Sequence, residues 1–214
     1  MNTVVFDVGE TLVDETRLWA GWAEWLGVPT FTLYGVLGGL AARGENHQRF
    51  VELLKPGSSF VEERAAKEAA GTVWGSAVDL YPDAEPCLRA LRDDGWRLVV
   101  GGNQPAAIER LIEELDLPVD AVVSSGGLGV EKPGAGFFVG AASAVGVDVA
   151  DCVHVGDRVD NDVVAARAAG MTPVHVRRGP WGVLHADDPA IDRQVTSLLE
   201  LPDLLRPLRS PPFM

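Results

Sequence analysis

Short apolar runs alternate with amphipathic segments along the chain after residue 80. The apolar runs have the length of buried strands and read TVVFDV, RLVVGG, AVVSS, CVHVGD and PVHVR, the first lying near the N-terminus. The intervening segments have helical spacing and predict helices over residues 85–94, 105–115, 137–145 and 161–169. Strands that alternate with helices require a parallel sheet covered on both faces. The predicted fold class is therefore α/β, with a Rossmann-like doubly wound sheet.

Residues 15–79 break this alternation, because they have helical spacing and no convincing strand. We interpret them as a helical cap inserted into a discontinuous core formed by residues 1–14 and 80–206. Trp19, Trp22 and Trp25 recur at three-residue steps and fall along one side of a helix. A packed cap interior explains them better than an aromatic substrate wall. Prolines in residues 207–214 predict an irregular tail.

Composition and charge narrow the class of partner. With 214 residues, 47% of them hydrophobic, the chain is long enough to bury a substantial core. The 18 basic and 31 acidic residues give a net charge of −13, which argues against nucleic acid or an anionic membrane as a partner. No apolar run has membrane-spanning length and no signal pattern opens the sequence, so a cytoplasmic location is expected. The sequence indicates no particular oligomeric state.

Several residues with reactive or charged side chains have no pattern that favours function. Cys87 and Cys152 lie far apart without metal-ligand spacing, and we expect buried, reduced thiols. His154 lies inside a predicted strand, where a structural role is commoner than a catalytic one. The pair Arg177 and Arg178 is interpreted as a solvated strand end.

Polar residues occur where the apolar strands end. Asp7, Asn103 and Asp157 each follow such a strand, and Lys132 lies in a loop. In a doubly wound sheet the carboxyl ends of the strands converge on one crevice, where ligands bind. Three carboxylates there, with Asp162 as the third, would repel one another unless a lysine or a divalent cation compensated them. Oxygen ligands of this kind favour Mg²⁺.

Three sequence motifs resemble those of the haloacid dehalogenase-like hydrolase superfamily, most of whose members are Mg²⁺-dependent phosphatases. The first motif is matched by Asp7 and Thr11 after an apolar strand, and the third by Lys132 followed by Pro133. The fourth is matched by the run Val155–Asp162, VGDRVDND. Their order on matching elements, and an insertion after the first strand, resemble the class of the superfamily that carries a helical cap.

The resemblance implies a role for each matched residue. Asp7 would be the nucleophile that forms an aspartyl-phosphate on a small phosphorylated substrate, and Lys132 would neutralise it and the phosphoryl oxygens. The Asp7 and Asp157 carboxylates and the Gly9 carbonyl would bind Mg²⁺. Asp162 would support the ion from the second shell.

The implied phosphate-binding set is Thr11, Gly102, Asn103 and Lys132, but the sequence departs from the family pattern at two positions. Gly9 stands where the family has a second Asp, which protonates the leaving group and then activates water, a role worth about 10²–10⁴-fold. Gly102 stands where the family has Ser or Thr. Backbone N–H groups or the Asn103 amide could bind the phosphoryl group there.

Several interpretations of the Gly9 substitution stay open at this point. The substrate could have a leaving group that departs unprotonated, or Glu10 or His47 could supply the proton. The reaction could instead cleave a carbon–phosphorus bond, which requires a cap lysine, Lys55 or Lys67, to form an imine. A non-enzymatic alternative is a catalytically impaired homologue that binds a phosphorylated ligand or a protein partner.

Overall fold

The computed structural model describes residues 1–71 and 79–209. The chain divides into two compact units. The first comprises Met1–Val13 and the chain from Leu80 onward, and the second is Asp14–Asp79. We call them the sheet unit and the helical unit.

The sheet unit contains six parallel strands in the order β3-β2-β1-β4-β5-β6. The strands are β1 (Thr3–Phe6), β2 (Arg97–Gly102), β3 (Ala121–Ser124), β4 (Cys152–Gly156), β5 (Thr172–Val176) and β6 (Gln194–Val195). Phe6 of β1 lies beside Val100 of β2 and Val155 of β4. The order reverses at β1, so the residues after β1, β2 and β4 meet at one edge of the sheet.

The five predicted strands and the doubly wound parallel sheet are confirmed. Strand β1 is completely buried, because helices cover both faces of a parallel sheet. Phe137 and Phe138 pack with Val5 and Val99 in the core on one of these faces. Strand β6 was not predicted, since two residues are too short to produce an apolar pattern.

Helices connect the strands of the sheet unit. They are α5 (Ala84–Asp93), α6 (Ala107–Glu113), α7 (Ser125–Leu128), α8 (Ala135–Ser143), α9 (Ala165–Ala169), α10 (Gly179–Leu184) and α11 (Leu201–Leu205). The four predicted helices are found with shifted ends, while α7, α10 and α11 were missed because they are short.

The helix predicted over residues 161–169 is only partly α-helical. Val159–Val164 forms a π-helical turn and α9 follows it. The amide of Val163 reaches back five residues, to the carbonyl of Arg158, at 3.3 Å. Single π turns of this kind occur frequently at functional sites, and this one contains Asp162.

The helical unit contains α1 (Thr16–Leu26), α2 (Thr30–Ala42), α3 (Phe50–Leu54) and α4 (Phe60–Ala69), with a 3₁₀ turn at His47–Arg49. Its interior is aromatic. The ring of Trp22 lies 5.2 Å from that of Phe50 and stacks at 5.4 Å on Phe60, and Trp19 meets Phe50 at 5.7 Å. The Trp25 indole donates to Glu63 at 2.9 Å. The predicted packed interior is confirmed.

The C-terminal tail differs from its prediction, since Arg206–Leu208 forms a 3₁₀ turn. The rest of that prediction, beyond Arg209, lies outside the described residues. Cys87 and Cys152 are buried free thiols, as expected, and burial raises the pKa of Cys87 to about 12. Within the described ranges no single helix has the length and apolarity to cross a membrane, although α1 and α2, bent by 113° at their junction, pass that test as a pair.

Candidate active site

The strand ends bring three buried carboxylates together. Asp7 follows β1, Asp157 follows β4, and Asp162 lies in the π-helical turn. One oxygen atom from each carboxylate lies within 4.8 Å of the others. All three side chains are almost fully buried. Neutralising charges are therefore needed at this edge of the sheet.

Lys132 supplies one of these charges. Its Nζ atom lies 2.5 Å from Asp7 Oδ1 and 2.6 Å from Asp162 Oδ1, and its side chain is 3% exposed. Burial acts to lower the pKa of Lys132, but the charges of Asp162 and Asp7 outweigh it and raise the pKa above the usual range. Lys132 is therefore a permanent cation that bridges the two aspartates.

Asp162 is held on both carboxylate oxygens. Oδ1 accepts from Lys132 and lies 3.0 Å from His154 Nε2, and Oδ2 accepts from the backbone N–H of Arg158 at 3.0 Å. Burial opposes the charge of Asp162, but Lys132 and His154 overcome it and lower the pKa of this carboxyl. Both oxygens of Asp162 are thus engaged by protein groups, and one of them fixes the position of the Lys132 ammonium.

Gly156 makes room for this arrangement. A Cβ atom on Gly156 would lie 2.3 Å from Cγ and 2.6 Å from Oδ2 of Asp162. Any side chain at this position would therefore displace Asp162 from its partners. The glycine of the Gly156-Asp157 pair is explained by packing against Asp162.

Asp157 has the opposite environment. Its carboxylate makes no hydrogen bond or ion pair with any residue in the described part of the chain. Burial and the charges of Asp162, Asp7 and Glu10 raise the pKa of Asp157 well above its ordinary value, and Arg158 opposes them only weakly. A buried acid in such surroundings is suited to bind a cation.

The donor set fits a divalent cation with oxygen ligands. One lysine faces three carboxylates, so the site keeps an excess of negative charge. Lys132 contacts only the Oδ1 atom of Asp7, so the second oxygen of Asp7 and the Asp157 carboxylate remain as candidate ligands. Hard cations such as Mg²⁺ bind carboxylate and carbonyl oxygens. The predicted outer position of Asp162 agrees with its full set of protein partners.

Comparison with known proteins decides the family. Residues 1–170 match the model of the haloacid dehalogenase-like hydrolase family. This chain is a haloacid dehalogenase-like hydrolase.

Named relatives of this hydrolase are phosphatases. It is 34% identical to the glyceraldehyde 3-phosphate phosphatase of Methanopyrus kandleri over 77% of this chain and 75% of that protein. It is also 34% identical to the phosphoglycolate phosphatase of Xanthomonas campestris pv. campestris, over 61% and 59% of the two chains. A HAD hydrolase of Entamoeba histolytica shares the fold, with a TM-score of 0.70 at 19% identity over 96% of this chain and 100% of that one.

In the hydrolase, the loop after β2 contributes to the site in a way that the sequence did not indicate. The side chain of Asn103 accepts from the backbone N–H of Lys132 at 2.7 Å and donates to its carbonyl at 2.8 Å. Asn103, predicted to bind phosphate, thus fixes the backbone that carries the lysine. Gly102 lies directly beside Asp7, since a Cβ atom on Gly102 would lie 2.8 Å from Asp7 Oδ1.

The loop after β1 is fixed from the far side by Arg178. This guanidinium donates to the Thr11 carbonyl at 2.8 Å and to Asp83 at 2.6 Å, and it stacks 4.0 Å from the centre of the Tyr81 ring. The Tyr81 hydroxyl in turn donates to Glu10 at 2.6 Å. The expectation that Arg178 is solvated is wrong, because its side chain is 11% exposed and fully paired.

The first-motif loop itself is tightly folded. Glu10 adopts a left-handed backbone conformation, with φ of 52°, which turns the chain back so that its N–H donates to the Val13 carbonyl at 2.8 Å. Thr11 is completely buried, and its hydroxyl has no hydrogen-bond partner among the described residues. Gly9, one residue before this turn, pairs with Val13 in an isolated β-bridge.

Sequence reasoning missed three side chains at this edge of the sheet: His154, Arg178 and Gln104. His154 contacts Asp162 from inside β4, although it was expected to be structural only. Each lies two residues from the carboxyl end of a strand. This position is the signal that could have identified them. Arg158, which follows Asp157, forms a local ion pair with Asp160 at 2.7 Å and stacks on Trp181.

Proposed function

We propose that this hydrolase is a Mg²⁺-dependent phosphatase that acts on small phosphorylated metabolites through an aspartyl-phosphate on Asp7. The observation that carries the proposal is the contrast between two aspartates. Asp7 is held by a permanent cation, whereas the buried Asp157 has no hydrogen-bond or ion-pair partner among the described residues. A nucleophile with a fixed counter-ion beside an acid that could bind a cation suits displacement at a phosphoryl group.

Lys132 and Asp162 prepare the nucleophile. Burial and the charge of Asp162 raise the pKa of Asp7, while Lys132 and His154 lower it. The Lys132 contact therefore opposes protonation of the acid that must attack. It also fixes the orientation of the Asp7 carboxylate.

The reaction proceeds in two displacements. A carboxylate oxygen of Asp7 attacks phosphorus. The bond from phosphorus to the substrate oxygen breaks, and that oxygen takes up a proton from solvent or from a nearby acid. Water then attacks phosphorus, the bond to Asp7 breaks, and inorganic phosphate and the free carboxylate are formed. Mg²⁺ held by Asp7, Asp157 and the Gly9 carbonyl would neutralise phosphoryl charge during both steps.

The relatives support a class of substrate. The named phosphatases act, by their names, on glyceraldehyde 3-phosphate and phosphoglycolate, which are phosphate esters of two or three carbons. We include this class in the proposal, with the helical unit as the cap that selects among such molecules. Lys55, one of the two lysines that carbon–phosphorus cleavage could use, lies 2.6 Å from Glu63, and this pair disfavours an imine at Lys55. A cytoplasmic location remains a prediction.

The test is hydrolysis of p-nitrophenyl phosphate, glyceraldehyde 3-phosphate and phosphoglycolate, with Mg²⁺ and with a chelator. We expect metal-dependent release of phosphate by the native sequence and a loss of at least about 100-fold in Asp7→Asn. Asp14→Asn is the matched control, because Asp14 only accepts a hydrogen bond from the Thr16 backbone at 2.8 Å. Activity on the aryl ester alone would show that the missing acid at Gly9 restricts the substrate to good leaving groups. No turnover of any ester would refute the proposal and favour an impaired, binding homologue.

A further inference from the structure

Gln104 is a buried side chain beside the nucleophile Asp7. It is 8% exposed, and its Oε1 atom has no hydrogen-bond partner among the residues that the structure describes. A buried amide atom without a partner costs free energy, so its retention calls for a ligand or a function.

The position of this amide is defined by Gly102. A Cβ atom on Gly102 would lie 2.4 Å from Gln104 Oε1 and 2.8 Å from Asp7 Oδ1. The Gln104 amide and the Asp7 carboxylate therefore face the same small volume above Gly102. The amide occupies the space into which a serine or threonine at position 102 would project.

The backbone on both sides of Gln104 is anchored. Its N–H donates to the Gly102 carbonyl at 2.9 Å, and its carbonyl accepts from Gly126 N–H at 3.0 Å and from the Ser125 hydroxyl at 3.2 Å. The side chain consequently leaves a fixed point, and only its own torsions are free. Rotation of the terminal amide by 180° exchanges Oε1 and Nε2 and directs N–H groups at the volume beside Asp7.

We propose that the Gln104 amide binds a phosphoryl oxygen of the substrate and replaces the Ser or Thr that the family has at position 102. The amide donates a hydrogen bond to the anionic oxygen, while Lys132, which contacts Asp7 Oδ1, supplies the positive charge. Gly102 is then required because a side chain there would collide with the amide that took over its role. This inference rests on the proposed phosphatase function.

The direct test measures binding of inorganic phosphate by titration calorimetry in the presence of Mg²⁺, for the native sequence and for Gln104→Met. Methionine has a similar length and keeps the packing, but it donates no hydrogen bond. We expect the dissociation constant for phosphate to rise about 10- to 100-fold, which is the range for a hydrogen bond to a charged group. Gln48→Met, at an exposed position of the helical unit, is the matched control and should bind phosphate normally.

A pair of variants distinguishes a phosphate-binding role of the Gln104 amide from a role in packing alone. Gly102→Ser alone should bind phosphate poorly, since its Cβ atom would meet the Gln104 amide. The double variant Gly102→Ser with Gln104→Ala should bind phosphate more tightly than Gly102→Ser alone, because removal of the amide relieves the closer contact, at 2.4 Å, and leaves the contact with Asp7 Oδ1 at 2.8 Å. The backbone at Gly102 permits this change, because Gly102 does not have a positive φ.

The outcomes separate the two proposals. If the native protein hydrolyses phosphate esters and binds phosphate, but Gln104→Met binds phosphate as tightly, the role of Gln104 is overturned and the phosphatase proposal stands. Failure of the double variant to bind phosphate more tightly than Gly102→Ser alone, with the thermal transition of the native protein retained, would also overturn it. If the native protein neither hydrolyses the esters nor binds phosphate, both proposals fall together.

Discussion

The variant Asp157→Asn tests whether Asp157 is an uncompensated acid that binds Mg²⁺. The change removes a negative charge and keeps the shape of the side chain. If Asp157 is an uncompensated acid, the metal-free variant should be more stable than the metal-free native protein. Its stability should also no longer increase when Mg²⁺ is added.

The magnitude follows from the spacing of the carboxylates. Two unit charges at the limiting separation of 4.8 Å repel by about 3.5 kcal/mol at an effective dielectric constant of about 20. Asp157 faces two such neighbours, and Lys132 offsets the charge of one of them. Proton uptake by Asp157 relieves part of the remaining repulsion. We therefore expect Asp157→Asn to raise the free energy of unfolding by about 1–3 kcal/mol, which corresponds to a Tm about 2–12 °C higher for a chain of this size.

The assay is differential scanning calorimetry at pH 7, with a chelator and with excess Mg²⁺. The native protein should gain about 2.7 kcal/mol at a Mg²⁺ concentration 100 times its dissociation constant, and Asp157→Asn should gain almost none. Asp160→Asn is the control, because Asp160 is exposed and pairs only locally with Arg158. A metal-free Asp157→Asn that is less stable than the native protein, or one that keeps the full response to Mg²⁺, would refute the reasoning.

Three further predictions concern the supports of the site. Gly156→Ala should lower the free energy of unfolding by about 1–3 kcal/mol and reduce kcat, because the new Cβ would lie 2.3 Å from Asp162 Cγ; calorimetry and ester hydrolysis test this. Metal-free stability should fall as pH rises from about 4 through the raised pKa of Asp157, since the folded state retains the proton longer than the unfolded state. Denaturant titrations at several pH values should show a smaller fall for Asp157→Asn. Arg178→Lys should leave far-UV circular dichroism unchanged but reduce kcat, because lysine cannot reproduce the paired contacts to Asp83 and the Thr11 carbonyl.

The sequence predicted the parts of the site that are fixed by the sheet. Asp7 and Asp157 follow apolar strands, and parallel strands bring their carboxyl ends to one edge whatever the helices do. The excess of carboxylates at that edge, and the need for a cation, followed from residue type alone. The five longer strands were predicted more accurately than the helix ends, since each is a short, mostly apolar run.

The remaining features depend on contacts between residues distant in sequence. Arg177 and Arg178 are adjacent and chemically identical, yet Arg177 is exposed and Arg178 is buried against Asp83, 95 positions away. Nothing local distinguishes them. Asn103 was identified as a polar residue at a strand end, but its bonds to the Lys132 backbone depend on the path of the loop after β3. The π-helical turn likewise depends on the partners of Asp162, which local helical spacing does not reveal.

Glycines at this edge of the sheet make room for polar side chains of the site. Gly156 leaves room for Asp162, and Gly102 leaves room for the Gln104 amide. Gly179 lies against Glu10, where a Cβ atom would be 2.7 Å from the Glu10 side chain. Gly156 and Gly102 end strands, and in both cases the missing side chain lets a polar group from another position occupy the space. A glycine in a motif position is therefore incomplete evidence of lost function, because the missing group can enter from a neighbouring residue. At Gly102 the structure offers such a residue, and the double variant with Gln104 tests that exchange directly.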